Sequence, residues 1–405
     1  QVDSLLVQST SMVGVQQFMM SHTKETTPSE CVIYVKTGSA DDLERLKEEV
    51  VGYMAEYYPK GYKIPLANGS YAEIIQKLGE GGQGVVYRVA IGGKEYALKW
   101  YHKGVVQNPK KFYQNLENNV NKGAPTKAFL WPLYLTQPAD GSFGYIMELR
   151  PKNYREFSDF LLAKAHFQSL SSAVNAALNI TNGFRELHRN GFSYQDLNDG
   201  NFFIDAENGD VLICDNDNVA PYGESLGIAG KARYMAPEVV RNLKRPDVMT
   251  DRFSLAVVLF RLLFLDHPLE GKRVVEAPCL TEELELKYYG KDPIFIYDPA
   301  DDSNRPVRGV HSNAIKFWPL YPQFIQNKFI TALSKDAMTG KTTRMTDNDW
   351  QLAFTRLRDT IITCPCGSET FINVAGDASC INCGRRIPKP PVLNCHNHKY
   401  GLALF

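Results

Sequence analysis

Neither sign of charge is in excess in this 405-residue sequence: Lys and Arg number 45, and Asp and Glu number 45. That balance argues against bulk electrostatic binding to nucleic acid and against a polybasic membrane tether. Long hydrophobic runs are missing too. The best, Phe253 to Leu265, is interrupted by Arg261 and is too short to cross a bilayer. The opening stretch, QVDSLLVQSTSMVGVQQF, lacks the basic segment of a secretory signal. No internal repeat is found. With 44% hydrophobic and 22% charged residues, the chain has the composition of a folded protein with a full core. It has little need of disulfides, and four of its 8 cysteines sit together at metal-ligand spacing. A reducing, cytoplasmic location is expected.

What is present divides into three regions. Residues 1–69 form a leader in which Ser39 and Asp42 precede Leu43, Leu46, Val50, Val51 and Met54 at helical spacing, predicting a helix near 40–58. Residues 70–358 begin with strand-like segments (YAEIIQKLG, GVVYRVAI, KEYALKWY), turned at Gly92-Gly93. After about residue 155 the periodicity becomes helical, and Gly191 is placed to end the run NAALNITNGFRELHRN. Strands followed by helices predict an α+β chain with a β-rich lobe (70–147) joined to a helical lobe (148–358). Residues 359–405 form a short Cys-, Gly- and Pro-rich module.

The segment Leu78-Gly79-Glu80-Gly81-Gly82-Gln83-Gly84-Val85-Val86 places glycines where backbone N–H groups could approach phosphate oxygens. A helix directly after it would signal a dinucleotide fold, but Val85 to Val89 continue as a strand, so the glycines cap a hairpin. The strand Tyr96-Ala97-Leu98-Lys99 ends on a lysine suited to phosphate, and Glu117 is the expected carboxylate partner that orients it. Further on, Asp196 and Asn201 share one loop, where an Asp can orient a hydroxyl nucleophile and an Asn can bind a metal. The apolar run Val211-Leu212-Ile213-Cys214 then delivers Asp215. Oxygen ligands from Asn201 and Asp215 suit Mg²⁺.

These residues, in this order, resemble a Ser/Thr protein kinase of the eukaryotic-like (Hanks) type over roughly 70–358. The resemblance implies a bilobal kinase fold, ATP and Mg²⁺ as cofactors, and a protein substrate, with a soluble bacterial kinase as the expected origin. It implies that Leu78, Gly79, Gly81, Gly84, Val86, Ala97 and Lys99 contact the nucleotide. Met147-Glu148-Leu149 resembles the hinge that meets adenine, with Met147 as gatekeeper. Tyr234-Met235-Ala236-Pro237-Glu238 resembles the end of the activation segment, and Arg344 the arginine that pairs with Glu238. Asp251-Arg252-Phe253-Ser254-Leu255 resembles the start of the central buried helix.

The departures carry information as well. Tyr194-Gln195-Asp196 stands where the family has His-Arg-Asp, so an activation-loop phosphate has lost its usual arginine partner and control by loop phosphorylation is not expected. Asp215-Asn216-Asp217 replaces Asp-Phe-Gly, leaving Asp217 as an alternative metal ligand. Asn198 occupies the place of the catalytic-loop lysine and Lys231 that of a threonine. Lys231 could supply the missing charge or could be an exposed docking residue. The competing reading is a nucleotide-binding pseudokinase scaffold. The acidic, aromatic stretch at 270–325 is either a protein-docking insert or a solvated elaboration.

In the tail, Cys364, Cys366, Cys380 and Cys383, each pair followed by a glycine, resemble a zinc ribbon with a structural Zn²⁺ on four thiolates. Cys395, His396 and His398 are possible substitute ligands. A module this short would need the metal to fold, and it is a second candidate surface for a protein partner.

Overall fold

Period-two alternation builds a six-stranded antiparallel sheet. Its strands are β1 (Lys63–Pro65), β2 (Tyr71–Gly81), β3 (Gly84–Ile91), β4 (Lys94–Tyr101), β5 (Tyr134–Leu135) and β6 (Gly144–Glu148), in the order β1-β2-β3-β4-β6-β5. The computed structural model describes residues 58–139, 141–224, 230–373 and 376–390, with the backbone of short strands at 19–20, 33–34, 392–395 and 398–401. The expected helix near 40–58 lies almost wholly outside the described residues.

On β4 the pleat sends Tyr96, Leu98 and Trp100 to one face, packed with Ile64, Val85, Tyr87 and Val89. Ala97, Lys99 and Tyr101 point the other way, toward helix α1 (Pro109–Lys122). Gly92 and Gly93, at φ 57° and 85°, make the tight turn between β3 and β4. The sheet begins earlier than residue 70. Ile64 and Leu66 are fully buried, so β1 belongs to this lobe rather than to a leader ending at 69.

The second lobe is helical. Helix α2 (Leu170–Arg189) starts at a Ser169/Ser172 capping box and stops at Asn190, with Gly191 (φ 76°) turning the chain just beyond. Helix α3 (Val248–Phe264) starts at Asp247 and is buried on nearly all sides, as the apolar majority of its residues requires. Helix α4 (Asp347–Arg358) closes the lobe, with Trp350 and Phe354 fully buried. The stretch 270–325 is no loose appendage: Tyr289, Phe295, Ile296 and Ala314 enter the lobe's core, and Tyr297 stacks on Trp318 at 4.3 Å.

A three-stranded sheet of β7 (Tyr154–Glu156), β8 (Phe202–Asp205) and β9 (Val211–Ile213), in the order β9-β8-β7, lies on this lobe and frames the loops that carry Asn201 and Asp215. The Cys-rich segment docks onto the same lobe. Phe371 joins its core, and both oxygens of Glu369 accept hydrogen bonds from the first turn of α2, from Ser171 N and Oγ, each at 2.7 Å.

Candidate active site

The glycine-rich turn is a hairpin in which Gly81 pairs with Gly84. A side chain at Gly84 would meet the Trp100 carbonyl at 2.1 Å, so only glycine lets β3 lie this close to β4. Gly79, Gly81 and Gly82 have open space around them, leaving their backbone accessible. Beneath the hairpin, Val86, Ala97, Met147 and Leu149 gather in one apolar cluster with Phe203 and Leu212 from the lower lobe. Leu78 stands exposed at the rim, and Glu148 turns outward to Lys94 at 2.9 Å. Phe203 and Leu212 were not anticipated. Their alternation within short strands was the only signal.

Lys99 is 6% exposed and uses its three donors on three acceptors: Asp217 Oδ2 at 2.8 Å, Gln83 Oε1 at 3.0 Å and Asp215 Oδ1 at 3.3 Å. Burial alone would lower its pKa, but the Asp217 and Asp215 carboxylates outweigh that and hold the ammonium well above the ordinary lysine value. Tyr101 donates its hydroxyl to the same Asp217 oxygen.

The structure does not bring Glu117 to Lys99. The buried stripe of α1 is Phe112, Asn115, Leu116 and Asn119, and Glu117 lies one step round the helix, exposed, accepting a hydrogen bond from Gln114 at 2.8 Å. The expected lysine–helix carboxylate pair is thus replaced by a lysine–Asp217 pair. Asn115 and Asn119 instead donate to the Val219 carbonyl at 2.8 and 3.0 Å, tying the helix to the segment that carries both aspartates.

Asp215 sits in the left-handed region (φ 53°) with its side chain 43% exposed, facing the cleft, while Asp217 is fully buried. Asn201 is held against the Asp215 segment by Cys214 N on its carbonyl at 2.8 Å, and its carboxamide oxygen accepts from Asn198 N at 2.7 Å. Asn216 makes hydrogen bonds rather than apolar contacts, donating to the Leu130 and Ile213 carbonyls, both at 2.9 Å. Cys214 is buried, as a small hydrophobe would be.

Asp196 lies beside this cluster, with Asn198 Nδ2 at 3.3 Å and Asn218 Nδ2 at 3.4 Å. Burial pushes its carboxyl from 3.8 up to about 6, reinforced by Asp215 and Asp217 and opposed by Asn198 and Lys231. Its loop is clamped from below. Asp251 accepts Tyr194 N at 2.6 Å and Gln195 N at 3.0 Å, and His188 bridges Asp251 at 3.2 Å and Asp347 at 2.8 Å. Gln195 is held at φ 72°; with Asp215 it is one of five non-glycine residues at positive φ among the described residues.

A small pocket beside Asp196 is walled by Gly230, Lys231, Met235 and Ser254. Lys231 reaches Asp199 at 3.3 Å and is more than half exposed. Glu238 and Arg344 form a two-point ion pair at 2.7 and 2.8 Å. The four cysteines of the C-terminal module come together with all four Sγ atoms within 4.8 Å of one another. Gly367 and Gly384, both at positive φ, complete the two turns, and their N–H groups bond the carbonyls of Cys364 and Cys380. The side chains of Cys395, His396 and His398 lie outside the described residues.

Comparison with known proteins points to one family. The model of the protein kinase domain matches residues 72–305. G protein-coupled receptor kinase 2 of Caenorhabditis elegans is 29% identical over 231 residues, covering 53% of this chain and 31% of that protein. Dual specificity protein kinase shkB of Dictyostelium discoideum is 28% identical over 246 residues (57% and 33%). Ribosomal protein S6 kinase alpha-4 of Homo sapiens is 27% identical over 254 residues (59% and 32%). The chain spans about a third of the length of these curated relatives.

Proposed function

The chain belongs to the protein kinase domain family, and we propose that it transfers the γ-phosphoryl group of ATP to Ser or Thr hydroxyls of protein substrates. The observation that carries this reading is the convergence of Lys99, Asp196, Asn201 and Asp215 on one cleft beneath the glycine hairpin. A scaffold that had lost catalysis would have no need to keep all four.

On this reading Asp196 orients the acceptor hydroxyl. As the oxygen attacks the γ-phosphorus and the bond to ADP breaks, the hydroxyl proton passes to the Asp196 carboxylate. Lys99 holds the α- and β-phosphates, and the backbone N–H groups of the hairpin cover them. Val86, Ala97, Met147 and Leu149 would sandwich the adenine. The half-open Asp215 carboxylate and the Asn201 carboxamide form an all-oxygen donor set that fits Mg²⁺. Bound there, Mg²⁺ supplies positive charge to the phosphates. Lys231, which faces the Asp196 pocket from the activation segment, supplies charge from the side where Asn198 supplies none.

The activation segment needs no phosphate to hold it. Gln195, in place of an arginine, donates from Nε2 to the Glu224 carbonyl at 2.7 Å, a neutral anchor that gains nothing from phosphorylation. The four-cysteine cluster fits a structural Zn²⁺ site, with two thiols buried and two exposed. We set the domain limits near residues 63 and 359, the first moved back from 70 so that β1 stands in the first lobe. A protein partner would meet the outer side of 270–325, where Val275, Leu280 and Val310 are exposed, or the cysteine module.

Mapping phosphate acceptors on a degenerate peptide mixture with Mg-ATP tests the specificity. Phosphoserine and phosphothreonine are expected; phosphotyrosine as the main product would overturn the Ser/Thr assignment.

A further inference from the structure

In its contacts with Lys99, Asp217 differs from every other group in the cleft. Lys99 has three N–H donors and spends them on Gln83, Asp215 and Asp217. Gln83 sits at the tip of the hairpin that must cover a nucleotide, and Asp215 is 43% exposed and faces the cleft. A phosphate oxygen can enter the lysine's shell only by taking the place of one of these two. Asp217 is fully buried, makes the shortest of the three contacts, and has the same oxygen fixed by the Tyr101 hydroxyl. It is also out of reach of the open cleft, so it stays with the lysine when the other two let go.

We infer that Asp217, and not a carboxylate on α1, is the positioning residue that aims Lys99 at the ATP phosphates, so that one five-residue segment, 215–219, holds the metal ligand, the lysine's counter-ion and the anchor of α1. The last of these is Val219, whose carbonyl receives Asn115 and Asn119. This assignment rests on the kinase reading above. Its consequence is that Lys99 no longer depends on α1 for its charge partner: a shift of α1 leaves the ion pair intact, while any change in the 215–219 segment disturbs lysine, metal ligand and helix together. Asp217 Oδ2 is thereby committed to Lys99 and Tyr101, while its Oδ1 is buried without a partner.

The test compares Asp217→Asn with Glu117→Gln in the full chain, measuring kcat and KM for ATP, and binding of ATP and of adenosine by calorimetry. Adenosine carries no phosphate and does not need Lys99. Asp217→Asn should lower kcat/KM for ATP by about 10²-fold, the loss typical of a displaced reacting group. It should weaken ATP binding and leave adenosine binding unchanged, whereas a misfolded site would lose both. Glu117→Gln should behave as wild type. Wild-type kinetics in Asp217→Asn, or the loss appearing in Glu117→Gln, would overturn the assignment. A wild-type chain that binds ATP but transfers no phosphate would sink the kinase reading instead, and the ATP-against-adenosine comparison would still decide the role of Asp217. If Asp217→Asn fails to fold, Tyr101→Phe keeps the charge but frees the carboxylate. An ATP KM raised several-fold supports the assignment, and an unchanged KM refutes it.

Discussion

Replacing Asp196 by Asn should stabilise the folded chain while abolishing phosphoryl transfer, and burial sets the size of the gain. Taking the carboxylate out of water raises its pKa from 3.8 to about 6, and the neighbouring Asp215 and Asp217 add to the effect. For an acid, a raised folded value means that ionisation opposes folding. At low pH both folded and unfolded chains carry the proton and there is no cost. As the pH climbs from about 4 to about 6 the unfolded chain ionises first, and above that range the full cost stands. A gap of about two pH units corresponds to about 3 kcal/mol. The carboxamide has the same shape and removes the charge. It can also be satisfied, because Asn218 Oδ1 has no partner and could accept from the new amide once the Asn218 side chain turns over. Thermal unfolding of both proteins across pH is the assay. The variant's midpoint should lie several degrees above wild type near pH 8 and converge with it near pH 4. An increment that does not change with pH, or a lower midpoint near pH 8, would refute the reasoning. The same titration should appear in the wild-type rate profile as an acid limb near pH 6, since only the ionised carboxylate can accept the proton.

Three further outcomes are expected. Lys231→Ala should cut kcat by about 10- to 100-fold through loss of charge stabilisation, and should move the acid limb upward, because Lys231 lowers the Asp196 pKa; an unchanged rate and limb would make it a docking residue. In His188, burial alone would lower the pKa, but hydrogen bonds to Asp251 and Asp347 raise it from 6.5 to about 9. Its contribution to stability is complete below pH 6.5 and fades as the pH rises through about 9, so His188→Gln should flatten that alkaline loss as followed by thermal unfolding. The cysteine module should carry one Zn²⁺ per chain by elemental analysis. Cys364→Ser should lower that count and the melting temperature together, because the module anchors the first turn of α2 through Glu369.

Local spacing made much of the site legible. The glycine hairpin, Lys99, Asp196, Asn201 and Asp215 each sit on a short motif whose neighbours fix its backbone, and the Glu238–Arg344 pair forms as expected across 106 positions. Glu117 failed because order along the chain says nothing about which way a helix faces. The stripe Phe112, Asn115, Leu116, Asn119 does say it, and places two asparagines where a carboxylate was expected. Asp217 could not be matched to Lys99 from the sequence, since the two are 118 positions apart and meet only once both lobes have formed. β1 was missed because three residues are too few to show alternation. The stretch 270–325 reads as acidic and open, yet its aromatic residues bury against α3, where Phe260 and Phe264 both pack on Trp318.

The most direct test of the account is the intact mass of the purified chain after incubation with Mg-ATP, beside Asp196→Asn. Added phosphate on the wild type alone is the expected result, together with a rise in melting temperature on nucleotide addition for both proteins. Nucleotide stabilisation without any phosphate on the wild type or on added protein substrates would contradict it and leave a binding scaffold.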